Sequence, residues 1–315
     1  MSLKISVASI RAELAKVIYG QEEVIELALA ALFSCGHVLL EGPPGVAKTL
    51  LVRSIAAALD LDHGRIQMTP DLLPSDVTGS SVYRNDTGTF EFRRGPIFTN
   101  LLLADEINRS SARTQAALLE AMQELQVTYD GTSHSLPEPF LTFATQNPIE
   151  QEGTYPLPLA QLDRFMFKVI VGYPAPAAEL KVLKEHHATA GLAAPERARI
   201  SRVMDAAGIL AARQTIRETF VRDEVLSYVQ QLVQATRQHD GLDVGASPRA
   251  GLMLLTGAKS LARFRDRDFV IPDDIQAAFL PALRHRVVLA PTVELEGTKA
   301  DDVLRDVLAT VDIPR

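Results

Sequence analysis

A chain of 315 residues is long enough for one large domain and a smaller companion. Its composition, 47% hydrophobic and 23% charged, excludes a wholly disordered chain. The formal net charge of −7 gives no basic footprint for duplex nucleic acid, so a nucleic-acid partner is not expected.

In chain order, the opening "MSLKISVASIRAELAKVIYG" has no signal-peptide core. Residues 7–17 and 21–34 read as helices, the first with Val7, Ile10, Leu14 and Val17 on one face. The longest apolar stretch, "LALAALFSCGHVLL", is broken by Ser34, Gly36 and His37 and is too short to span a bilayer. No membrane insertion is expected. The one cysteine, Cys35, allows no intrachain disulfide and points to a reducing compartment, hence a cytoplasmic location. Set within this largely apolar stretch, it reads as a buried, inert thiol. "HVLLEG" is a short strand, and "KTLLVRSIAAALDL" is the next helix, with Leu50, Leu51, Ile55 and Leu59 at helical spacing. "RIQM" is a further strand. "NLLLADE" is a continuous apolar run ending in two acids, as in a parallel strand buried on both faces. "SARTQAALLEAMQELQ" is a helix, and "FLTFATQN" and "RFMFKVIV" are two more strands. Strands alternating with helices imply a three-layer α/β domain with a parallel sheet.

Near residue 175 the character changes. "GYPAPAA" and "ATAGLAAPERAR" read as a linker, and beyond it only helices are expected, over 201–211, 223–238, 248–264, 273–284 and 300–310. The expected organisation is an α/β core over 1–175, a linker over 176–200 and a helical domain over 201–315. His186 and His187 are adjacent, so on a helix they would point about 100° apart and would not share a metal.

The stretch "LLEGPPGVAKTLL", residues 39–51, nearly matches the phosphate-binding loop Gly-x4-Gly-Lys-Ser/Thr. Gly42, Lys48 and Thr49 are in register, and Ala47 stands in place of the last glycine. Backbone N–H groups of a loop running through Gly42, Pro43, Pro44, Gly45, Val46 and Ala47 to Leu50 can curl around phosphate oxygens at a helix start. Ala47 costs little if its φ is negative, as expected there. Lys48 would reach the β- and γ-phosphates, and the Thr49 hydroxyl would ligate Mg²⁺. Asp105 and Glu106 end a strand roughly sixty residues later. In this layout Asp105 holds Mg²⁺ through water and Glu106 is the general base for the attacking water. Asn147, at the end of a later strand, could orient that water. The same residue before Pro148 could instead be a turn asparagine.

At these residues the chain resembles an AAA+ ATPase, and more narrowly the MoxR family of the helix-2-insert group. The resemblance covers nearly the whole length. It is carried by "TPDLLPSDVTG", "GPIFTNLLLADEINRS", "TQAALLEAMQE", "ATQNPIEQEGTYPLP" and "AQLDRF". It implies that Val17, Ile18, Tyr19 and Gly20 pack on adenine, that Asn147 is the first sensor, and that Arg164 is an arginine finger facing a neighbour's γ-phosphate. It implies that Arg249 is the second sensor at the start of a lid helix, acting in its own subunit or on a neighbour. "SSVYRNDTGTFEFRRG" would be the hairpin that interrupts helix 2, and "VTYDGTSHSLPEP" the hairpin before sensor 1. The ligands implied are ATP or ADP with Mg²⁺. The partners implied are further copies in a hexameric ring, a protein with a von Willebrand factor A domain, and a client protein that is remodelled or activated. Two positions depart from the family pattern: Pro43 and Pro44 are paired where one proline is usual, and Leu159 replaces a usual glutamate. The alternatives carried forward are a DNA motor, kept open by Arg84, Arg93 and Arg94, a magnesium-chelatase-like subunit, and a non-hydrolysing nucleotide-gated scaffold.

Overall fold

The computed structural model describes residues 3–148, 154–188 and 200–314. Part of the expected linker, 189–199, and residues 149–153 of the "ATQNPIEQEGTYPLP" stretch lie outside the described residues.

Two helices, α1 (Leu3–Leu14) and α2 (Glu22–Phe33), precede strand β1 (His37–Glu41). There follow α3 (Lys48–Ala58), β2 (His63–Gln67) and the short α4 (Pro74–Thr78). A hairpin of β3 (Gly79–Arg84) and β4 (Thr89–Arg94) comes before β5 (Leu101–Asp105) and α5 (Ala112–Glu124). A second hairpin, β6 (Gln126–Tyr129) with β7 (Thr132–Ser135), leads into β8 (Leu141–Gln146). The short α6 (Leu159–Leu162) leads into β9 (Phe165–Ile170). The main sheet is ordered β2-β5-β8-β1-β9, and every pairing in it is parallel.

The apolar runs explain the layering. Side chains alternate across a strand. Accordingly Val38 and Leu40 of β1, with Leu101 and Leu103 of β5, enter the core beneath α1, α2 and α3. Leu39, Leu102 and Ala104 enter a second core with Leu118, Leu119 and Met122 of α5. Both faces are covered, so the strands read as unbroken apolar runs. The two hairpins lean on one another through Phe92, whose ring is stacked on His134 with centroids 4.3 Å apart.

The second half departs from the expected layout in four ways. Residues 176–200 are not simply a linker, because α7 (Pro176–Ala188) begins there, with Pro176 at a position where proline favours a helix start. The helix expected over 201–211 is α8 (Ala206–Arg217), started by Asp205, whose carboxylate accepts from the Gly208 N–H at 2.9 Å. After α9 (Asp223–Gln238), α10 (Pro248–Phe264) and α11 (Pro272–Leu283), the chain carries α12 (Pro291–Leu295) and α13 (Ala300–Thr310). This part is not wholly helical, because β10 (Leu242–Val244) pairs with β11 (Val288–Leu289). Finally, the helical part shares the core of the sheet. One hydrophobic cluster runs from Leu40 and Phe167 through α2 to Ile209, Leu254 and Phe279. Close approach is made possible by Gly257 of α10, where a Cβ would press on the Phe167 ring of β9.

Candidate nucleotide site

Parallel strands bring their carboxyl ends to one rim, and the loop after β1 lies on it. Gly42 is required there, since a Cβ would run into the Val171 carbonyl oxygen. Gly45 takes φ +83°. Ala47 takes φ +63°, in the left-handed region, so the negative φ expected of it is corrected. That conformation costs an alanine about 1–2 kcal/mol, which a glycine would not incur. Pro43 and Pro44 have no N–H, so the donors of the loop are Gly45 to Thr49, the last two at the start of α3.

A cavity of about 500 Å³ opens beside this loop, lined by Ala47, Lys48, Thr49, Asp105, Glu106 and Asn147, among others. Lys48 Nζ donates to the Gly42 carbonyl at 2.7 Å. Burial lowers its pKa, while Asp105, Glu106 and Glu41 pull it back up. Asp105 accepts from Thr145 Oγ1 at 2.6 Å and from Arg65 Nη2 at 2.7 Å. The Glu106 N–H donates to that same Thr145 oxygen at 2.8 Å, with Glu106 at φ +57°. The Glu106 carboxylate accepts from Gln67 and Arg109, each at 3.1 Å. Thr145, Arg65, Gln67 and Arg109 are thus site residues that motif reading missed. Thr145 had a signal: Ala104 of β5 is paired with Ala144 of β8, so the next residue falls beside Asp105.

Thr49 and Asp105 present one hydroxyl and one carboxylate to the same cavity. That sparse oxygen set suits Mg²⁺, which keeps several waters and completes its shell with phosphate oxygens. A second, largely apolar cavity of about 600 Å³ adjoins the loop at Pro44, Gly45, Ala47 and Leu50. Val17, Ile18 and Tyr19 line it, joined by Tyr173 and by Val182 and Leu183 of α7, which sequence reasoning had not found. Gly20, at φ +70°, and Pro43 lie on the adjoining turns and line neither cavity.

Arg164 and Arg249 are elsewhere. Arg164 precedes β9, whose start is paired with His37 at the start of β1, whereas the loop follows the other end of β1. The length of β9, six residues or roughly 20 Å, separates Arg164 from the loop rim. Arg164 and Arg249 share a cavity of about 390 Å³ with Arg213, Arg217 and a single acid, Glu138. Asp163, the residue just before Arg164, pairs with Arg286 at 2.7 Å. Cys35 also lines this cavity and is exposed, not buried as expected, because the turn at φ +57° after α2 directs it outward.

Among the described residues, no helix is long and apolar enough to cross a membrane. Residues 37–167 match the family described as ATPase family associated with various cellular activities (AAA), and residues 234–307 match the AAA lid domain. The chain is 45% identical to the uncharacterized protein YeaC of Bacillus subtilis over 299 residues, 95% of this chain and 92% of YeaC. It is 42% identical to the chaperone MoxR1 of Mycobacterium tuberculosis over 312 residues, 96% of this chain and 81% of MoxR1. A crystal structure of a provisionally assigned ATPase from Cytophaga hutchinsonii superposes with a TM-score of 0.91 at 40% identity, covering 99% of this chain and 96% of that one.

Proposed function

The chain belongs to the MoxR family of AAA+ ATPases, and from that premise we propose that it hydrolyses ATP with Mg²⁺ in a ring, hexameric as in the resemblance. The ring remodels or activates a client protein in the cytoplasm, together with a partner bearing a von Willebrand factor A domain. The observation that carries the ATPase reading is the convergence of Lys48, Thr49, Asp105, Glu106 and Asn147 on one cavity of about 500 Å³ beside a largely apolar cavity of about 600 Å³.

In this reading the loop N–H groups and Lys48 hold the phosphates, and Thr49 and Asp105 hold Mg²⁺, which when bound neutralises charge on the β- and γ-phosphate oxygens. Glu106 accepts a proton from the attacking water, which Asn147 orients. Gln67 and Arg109 fix the Glu106 carboxylate, and Thr145 ties its backbone to Asp105. Adenine lies between Val17–Tyr19 and α7. Arg164 and Arg249 are too far along the sheet to serve their own site, so they serve the γ-phosphate of a neighbouring copy. The client reading rests on one relative named as a chaperone, MoxR1. The DNA-motor reading is weakened at its own residues: Arg84 is tied to Asp86 and Glu91, and Arg94 lies 5.2 Å over the Phe98 ring.

Glu106→Gln tests the chemistry. It keeps the hydrogen bonds and removes the basicity, so kcat should fall by about 10² or more with ATP binding spared. Lys48→Ala should abolish binding or turnover. Near-native turnover of the Glu106→Gln variant would remove Glu106 from the base role.

A further inference from the structure

The tripeptide Arg284-His285-Arg286, just beyond α11, is packed against the backbone that carries Arg164. Strand β9 is the outermost strand of the sheet, so its outer edge has no strand beside it. His285 Nε2 donates to the Phe165 carbonyl at 2.9 Å, and Arg284 Nη1 donates to that of Lys168 at 3.4 Å.

Arg286 goes further. It is 2% exposed, and all five of its N–H donors have acceptors. Nε donates to Asp163 Oδ1 at 2.7 Å, and Nη2 donates to the carbonyls of Asp163 at 3.0 Å and Phe165 at 2.5 Å. Nη1 donates to the carbonyls of Met166 at 3.0 Å and of Ala282. A guanidinium saturated in this way cannot turn, and it clamps the peptide on both sides of Arg164. The Asp163 carboxylate also accepts from Ser247 Oγ at 3.3 and 3.4 Å. Ser247 is the N-cap of α10, and Arg249 stands in the first turn of that helix. A chain of contacts, Arg286 to Asp163 to Ser247, therefore joins the two backbones that present Arg164 and Arg249.

Those two side chains make no hydrogen bond or ion pair among the described residues, yet they line one cavity. Two guanidiniums facing one space repel each other. Their arrangement is held from behind and makes sense against a shared anion. We propose that Asp163 and Arg286 are positioning residues that set Arg164 and Arg249 at a fixed spacing, so that both meet one phosphoryl group of the neighbouring copy's nucleotide. The proposal rests on the reading that these arginines act across a subunit interface.

The test is ATP turnover of Asp163→Asn, which keeps the shape and the Ser247 contact but removes the charge facing Arg286. Turnover should fall at least tenfold while the ATP Kd stays within about twofold. Adding Lys48→Ala subunits to Asp163→Asn subunits should restore turnover, since the former offer an intact arginine pair. Ser247→Ala leaves the buried ion pair whole and should give a smaller loss of the same pattern, which keeps the test open if Asp163→Asn folds poorly. Absence of the rescue by Lys48→Ala subunits would make the ion pair a folding element and overturn the proposal, as would wild-type turnover in both Asp163→Asn and Ser247→Ala. Full activity of Arg164→Ala/Arg249→Ala would instead remove the interface reading beneath it.

Discussion

His37 opens β1 with both ring nitrogens engaged. Nδ1 accepts from the Thr142 N–H and Nε2 donates to the Met122 carbonyl, each at 3.1 Å. Burial pushes its pKa down to about 4, the Met122 bond opposes this, and Arg213 and Arg249 add to the depression. His285 is also held well below the ordinary range, by burial first and then by the Arg286 charge. In the unfolded chain both rings take a proton near pH 6.5. Between that pH and about 4 the unfolded state therefore binds more protons than the folded state, and stability falls as the pH drops through this window. Equilibrium urea unfolding should register it: His37→Gln should lose about 2 kcal/mol less than the parent between pH 7 and pH 5. An unchanged pH slope would contradict the assignment. At this scale the residues that meet at one cavity were legible and the backbone was not. Residue types alone picked out Lys48, Asp105, Glu106 and Asn147, since each chemical role admits few side chains. They did not reveal the left-handed φ of Ala47 or the outward turn of Cys35, because a single dihedral leaves no periodic trace in a sequence.

Among the elements, α7 has the clearest functional consequence. It lays Val182 and Leu183 along the apolar cavity opposite Val17 and Ile18. Leu183→Asp would set a charge where a purine face would lie, and desolvating that charge disfavours the bound state. The ATP Kd should rise about tenfold with turnover at saturation within about twofold, read by titration with a fluorescent ATP analogue and by steady-state rates. Unchanged affinity would place the base elsewhere. Long periodic segments were the legible ones: 223–238, 248–264 and 300–310 coincide with α9, α10 and α13. Helix α7 was hidden by "GYPAPAA", whose prolines read as a breaker although Pro176 starts a helix. The strands β10 and β11, of three and two residues, are too short to show any period. The role of Arg284-His285-Arg286 was hidden for another reason. It caps the edge of a strand more than a hundred residues earlier, and only the folded topology brings the two together.

Over the whole molecule, the parallel sheet separates two groups of candidate site residues. The loop, Asp105, Glu106 and Asn147 occupy one rim, and Arg164 and Arg249 share a cavity at the other. The helical part does not hang from a free linker. It continues the core beneath the sheet and ties its α10 and α11 ends to Asp163. On the proposed function, a subunit built this way would carry part of two sites and all of neither, so copies would associate head to tail, an arrangement that gives a ring where its rotation closes. The most direct test is the ATPase rate of Arg164→Ala and Lys48→Ala proteins, assayed apart and then mixed in equal amounts. Each alone should run near background. In the mixture, random association pairs an intact loop with an intact finger at about one interface in four, so turnover should recover to about a quarter of the wild-type rate per subunit. A mixture that stays at background, although both variants co-assemble with the wild-type chain, would contradict the shared site.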